Sequence, residues 1–215
     1  NDCISKFNSD RTSRSDWEQT YKQGLDQLGL EIEDRTTPWA GACGVFHPML
    51  SEAVVRFQSQ TIQEIMPAKG PVRTQCWGVT TPERIQQAKR VQEYMNYQLL
   101  EVMTEYRSET EKLLFSLPLA GSAFRKIYFD PSLGRPASMF VPAEDFVVAY
   151  HESGLDQAER YTHIMNRSTN QVRKLQVNGF YRDIELQTSH IEDNPITEKY
   201  NEIGGVSPSW EDNER

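Results

Sequence analysis

Residues 81–141 read TPERIQQAKR VQEYMNYQLL EVMTEYRSET EKLLFSLPLA GSAFRKIYFD PSLGRPASMF V, and the spacing of their apolar positions changes once along the way. Thr81 offers an N-cap with Pro82 at the first helical position, where a missing N–H costs nothing. Ile85, Ala88, Val91, Met95, Leu99, Val102, Tyr106, Thr110, Leu113 and Leu117 then recur every three or four residues. That spacing predicts one helix of about nine turns, or two helices broken near Thr104–Arg107. From Pro118 the period changes. Ala123–Phe129 and Ala137–Val141 flank Asp130-Pro131-Ser132-Leu133-Gly134-Arg135-Pro136, a turn-rich connection that predicts an antiparallel hairpin. Helix followed by hairpin, without strand–helix alternation, predicts an α+β fold in which amphipathic helices, one of them long, pack with a mainly antiparallel sheet.

On the N-terminal side, NDCISKFNSDRT is polar and without period and reads as an arm. Ser15 and Asp16 can cap a helix over Trp17–Leu28 that ends at Gly29. Leu30–His47 has loop composition, yet it carries Trp39 and Phe46, so it is expected to pack against something. Pro48 opens an amphipathic helix with Leu50, Val54, Phe57, Thr61, Ile62 and Ile65, closed by Pro67. Val72–Val79 alternates after the turn Lys69-Gly70-Pro71 and predicts an edge strand. On the C-terminal side, Asp145–Tyr150 and Arg160–Met165 are strand candidates. Ser168 can cap a helix over Thr169–Val177 closed by Gly179, and Phe180–Ile184 leads into a polar tail. The organisation expected is an N-terminal helix and polar arm over 1–37, a helical part with one strand over 38–118, a β-rich part over 119–200 and a linker over 201–215.

The chain has 215 residues, enough for one large domain or two small ones. With 37% hydrophobic and 10% aromatic residues it is too apolar to remain disordered. Its 23 Lys and Arg against 31 Asp and Glu give a net charge of −8, which argues against a broad basic face that grips DNA. No stretch approaches the roughly 18 apolar residues of a membrane span, and no membrane partner is expected. The polar start at Asn1 and the final GGVSPSWEDNER read as points where a longer chain continues.

Residues capable of chemistry are scattered. Cys3, Cys43 and Cys76 form no C-x-x-C pair, so neither a disulfide framework nor a zinc site is suggested. His47, His151, His163 and His190 fall in no metal-binding spacing. Gly121-Ser122-Ala123 is not a nucleophile elbow, and Leu119-Ala120-Gly121-Ser122 leads into a strand where a phosphate cradle needs a helix. Cys43 lies between glycines in GACGVFH, four residues before His47, and is the one thiol with reactive-looking surroundings. Glu144-Asp145 resembles a pair of metal-binding carboxylates, but neighbouring strand residues point to opposite faces, which favours a polar strand start. Arg125-Lys126 and Arg160 could touch phosphate, although scattered cations on an acidic chain are usually salt-bridged. No catalytic, cofactor-binding or metal-binding residue is assigned.

The stretch from Asn96 to Tyr150 resembles portal proteins, the head-to-tail connectors of short-tailed double-stranded-DNA bacteriophages. The features that carry the likeness are Leu117-Pro118-Leu119-Ala120-Gly121 followed by Phe124-Arg125-Lys126, Phe129-Asp130-Pro131 and Val141-Pro142-Ala143-Glu144-Asp145. It extends back through Pro38–Phe57, with its HPML, and Pro71–Gln75 (PVRTQ), and forward through Ala158–Met165 (AERYTHIM) and Gly179–Asp183 (GFYRD). The resemblance implies the N-terminal part of a portal wing, with stem and clip regions following. It implies a non-enzymatic subunit of a homo-oligomeric ring, typically a dodecamer, at one capsid vertex of the virion. Its implied partners are the major capsid protein, the terminase, tail or adaptor proteins, and double-stranded DNA that passes through without sequence readout. Two readings compete with it: a thiol hydrolase using Cys43, and an autonomous nucleic-acid-binding domain.

Overall fold

A computed structural model of the chain describes residues 2–28, 36–45, 47–131, 133–185 and 195–205. Seven α-helices and two small antiparallel sheets among them make the fold α+β. The chain divides into two compact units, Asn1–Phe46 with Glu144–Arg215, and His47–Ala143.

The first unit begins with helices α1 (Asp2–Ser13) and α2 (Ser15–Leu28). α1 falls on residues expected to be a polar arm. It has no apolar stripe because polar pairing anchors it. The buried Asp10 carboxylate takes two 2.7 Å bonds from the Arg160 guanidinium, the bidentate geometry that makes such pairs strong. Beyond α1, Arg14 is buried and donates to the carbonyls of Glu144 (2.7 Å) and Phe146 (3.0 Å) and to the Glu18 carboxylate (3.0 Å). α2 uses the periodicity expected of it, burying Tyr21 and Leu25. Leu25, Tyr21, Val147 and Ile196 are among the buried apolar residues of this unit. Strands β3 (Phe146–Val148) and β4 (Tyr161–His163) pair antiparallel, both shorter than the sequence suggests. Ser168 caps α6 (Thr169–Val177) by accepting from the Gln171 N–H. The supposed polar tail contains a further helix, α7 (Pro195–Ile203), which buries Ile196 and packs on α2. The loop expected to pack through its aromatics does not do so at Trp39, which is exposed. Phe46 lies outside the described residues.

The second unit holds α3 (Met49–Ile65), α4 (Pro82–Tyr97), α5 (Tyr106–Ala120) and the hairpin of β1 (Phe124–Asp130) with β2 (Arg135–Val141). The long helix is broken at Met103–Glu105, as the second sequence alternative has it. A π-helical turn at Gln98–Val102 runs into Met103, whose buried side chain marks the bend. α5 continues past Leu117 even though Pro118 in its last turn has no N–H to donate, and Gly121, at φ +76°, supplies the left-handed cap, its N–H bonding Leu117 O. α5 packs on α3 and on β2, placing Leu114, Val54 and Val141 in the core. In the hairpin, Ile127 faces Ser138 and Lys126 faces Met139.

The edge strand expected at Val72–Val79 does not form. The chain is extended over residues 72–77 but pairs with no strand, because polar side chains of α4 take its backbone groups. The Val72 N–H donates to Asn96 Oδ1 (2.9 Å) and the Thr74 N–H to Gln92 Oε1 (3.2 Å), while Asn96 Nδ2 returns a bond to Val72 O (3.2 Å). Gly70 (φ +92°) makes the approach possible, since a Cβ there would collide with the Asn96 amide. The same device recurs on β2. Glu105 Oε1 accepts from the Ser138 N–H (3.3 Å) and Glu109 Oε2 from the Phe140 N–H (2.6 Å). In both places, helix residues four apart satisfy alternate amides of an extended segment, matching one helical turn to two strand residues.

Candidate functional site

Within each unit, the described residues singled out for chemistry do not converge. Cys43 and His47 are both exposed. Cys3 is exposed, and the half-buried Cys76 directs its Sγ at Arg84 O (3.7 Å). His151 is exposed beside Glu152 (3.6 Å), and His163 is half-buried in β4. His190 lies outside the described residues. Arg160 is committed to Asp10. Arg125 reaches Thr110 Oγ1 (2.6 Å) and lies over the Tyr106 ring at 4.7 Å, and Lys126 lies over Tyr128. Among the described residues no group of three His, Cys, Asp or Glu side chains is placed to hold a metal ion. No helix among them is long and apolar enough to cross a membrane.

Glu144 and Asp145 lie in a turn ahead of β3. Glu144 is 7% exposed, and its Oε2 makes no hydrogen bond. Burial pushes its carboxyl above the usual carboxylate range, with Asp145 adding to the rise and Arg14 opposing it. Asp145 is also raised by burial, against the pull of His163 and Arg14. The Tyr21 and Tyr200 hydroxyls meet at 2.7 Å near this acid, and burial raises both phenols well above their ordinary value. A desolvated acid beside two phenols and a guanidinium already bonded to carbonyls has no adjacent nucleophile. Burial of this carboxyl favours its protonated form.

The feature that stands apart chemically is the surface of the His47–Ala143 unit. Not one residue of α4 is buried, although Ile85, Val91, Tyr94, Met95 and Tyr97 lie along it. Next to it Trp77 is 85% exposed, and on the outer strand of the hairpin Ile127 is 69% and Phe129 63% exposed. An isolated helix of this length is marginal in water without an apolar face packed against something, and contiguous exposed apolar surface marks contact sites. The apolar periodicity of Ile85–Leu117 names Ile85, Val91 and Met95 but not Tyr94 or Tyr97, and it does not show which of them another element covers. Trp77 was placed on a strand, and only the alternation of Val72, Thr74 and Cys76 against Arg73, Gln75 and Trp77 hinted at which side chains face outward.

No family model matches the chain, and no curated protein matches it.

Proposed function

We propose that this chain is part of a ring-forming portal subunit, a non-enzymatic component of the capsid vertex through which viral DNA is packaged and ejected. The observation that carries the reading is the uncovered apolar surface of the His47–Ala143 unit, which fits a protein whose helices are completed by neighbouring copies. The resemblance of Asn96–Tyr150 to portal wings supplies the kind of assembly. In such a ring the terminase and the tail or adaptor proteins dock on the portal, the major capsid protein surrounds it, and the product works in the virion.

Charge agrees with that role. Each Lys or Arg laid against phosphate adds salt-dependent affinity, so a channel wall rich in cations would brake moving DNA. The chain is acidic overall, and the acid is unevenly shared. His47–Ala143 carries 11 Lys and Arg against 9 Asp and Glu, and the rest of the chain carries 12 against 22. Mass photometry of the protein expressed from its full reading frame tests the proposal. The expected result is one high-mass species near twelve copies that persists on dilution. A single monomer peak across protein concentration and salt overturns it.

A further inference from the structure

The chain itself shows how an extended segment is completed here. β2 has Glu105 and Glu109 on one edge and the strand β1 on the other. Residues 72–77 have Gln92 and Asn96 on one edge and, among the described residues, nothing on the other. The N–H groups of Arg73, Gln75 and Trp77, which alternate with those bonded to α4, donate to no acceptor among the described residues.

A matching free edge exists on β1. Because the Ser138 and Phe140 N–H groups turn toward α5, the β1-facing amides of β2 are those of Ala137 and Met139, paired with Tyr128 and Lys126. The amides and carbonyls of Arg125, Ile127 and Phe129 therefore point outward from the hairpin. Both edges also carry the unit's exposed apolar side chains: Trp77 on one, Ile127 and Phe129 on the other.

We infer that the 72–77 segment of one copy adds as a strand to the outer edge of β1 in a neighbouring copy. The N–H groups of Arg73, Gln75 and Trp77 would donate to the outward carbonyls of β1, the outward N–H groups of Arg125, Ile127 and Phe129 would donate to carbonyls of the added segment, and Trp77 would cover the apolar side chains of that edge. The two edges differ, so the contact is heterologous and each copy can give one and receive one, as a closed ring requires. The apolar area covered is on the order of 500 Å², below the ~1,200 Å² of a stable pair, so the contact serves as one part of a larger ring boundary rather than of a free dimer. This inference rests on the ring reading above.

The test places photoreactive p-benzoylphenylalanine at Trp77 in the full-length protein, assembled from mixed light and heavy-isotope copies. The inference expects cross-links joining a light and a heavy chain, with the acceptor peptide spanning residues 124–130. Ile127→Pro is the companion variant. It removes an outward N–H and no β1–β2 bond, so it should leave the circular dichroism of the chain unchanged while reducing assembled rings at least ~10-fold, the effect of about 1.4 kcal/mol per contact. Rings whose Trp77 cross-links map elsewhere, or that form normally with Ile127→Pro, overturn the inference and leave the ring reading standing. Absence of rings from the unmodified protein overturns both.

Discussion

Two single residues set sharp local constraints. Gly70 combines a left-handed backbone with close approach to the Asn96 amide, so Gly70→Ala should destabilise the chain by ~2 kcal/mol, read as a lower urea midpoint with unchanged slope. Arg14 donates to the carbonyls of Glu144 and Phe146 and to the Glu18 carboxylate. Arg14→Met should cost ~2–4 kcal/mol by removing these bonds from a largely buried site. Glu144 gives a pH signature. Its folded carboxyl is raised by burial, so the folded chain retains a proton that the unfolded chain has released. Its contribution to stability therefore declines as pH rises from the ordinary glutamate range, about 4.3, through the raised value. Glu144→Gln should remove that part of the slope, and its gain in urea midpoint over the parent chain should grow between pH 5 and pH 8. A gain that shrinks with pH would contradict the buried, proton-binding role.

At the scale of elements, helices with apolar periodicity were legible and elements held by polar pairing were not. α2, α3, α5 and the hairpin follow from residue spacing, caps and turn chemistry. α1 was missed because its anchors, Asp10 and the following Arg14, bind partners distant in sequence, which leave no local period. The strand assigned to Val72–Val79 failed for a related reason. Alternation reported an extended chain correctly, but nothing local revealed that Gln92 and Asn96 would take the place of a partner strand. The bend after Tyr97 was open in the sequence because the apolar spacing continues through it. The helix-to-strand bonding makes its own prediction. Gln92→Ala should speed hydrogen exchange at the Thr74 amide by about fivefold, as expected for loss of a bond worth ~1 kcal/mol, and leave Val72 protected through Asn96. Equal acceleration at both amides would mean that the segment opens as one piece. The candidate surface was partly legible: periodicity named Ile85, Val91 and Met95 but not Tyr94 or Tyr97, and the exposure of all five depended on which elements α4 fails to meet.

For the whole molecule, the central claim is that the apolar surface left uncovered by one chain is covered by its neighbours in a ring. The acidic balance, which argues against a broad basic face that grips DNA, is compatible with a channel through which DNA passes. Exposed Trp77, the bare α4 and the free edge of β1 all lie in the His47–Ala143 unit, so subunit contact should depend on that unit more than on the acidic remainder. The most direct measurement is single-particle electron microscopy of the protein from its full reading frame. The account predicts class averages of closed rings with a central opening. Monomers at every protein concentration and salt would contradict it.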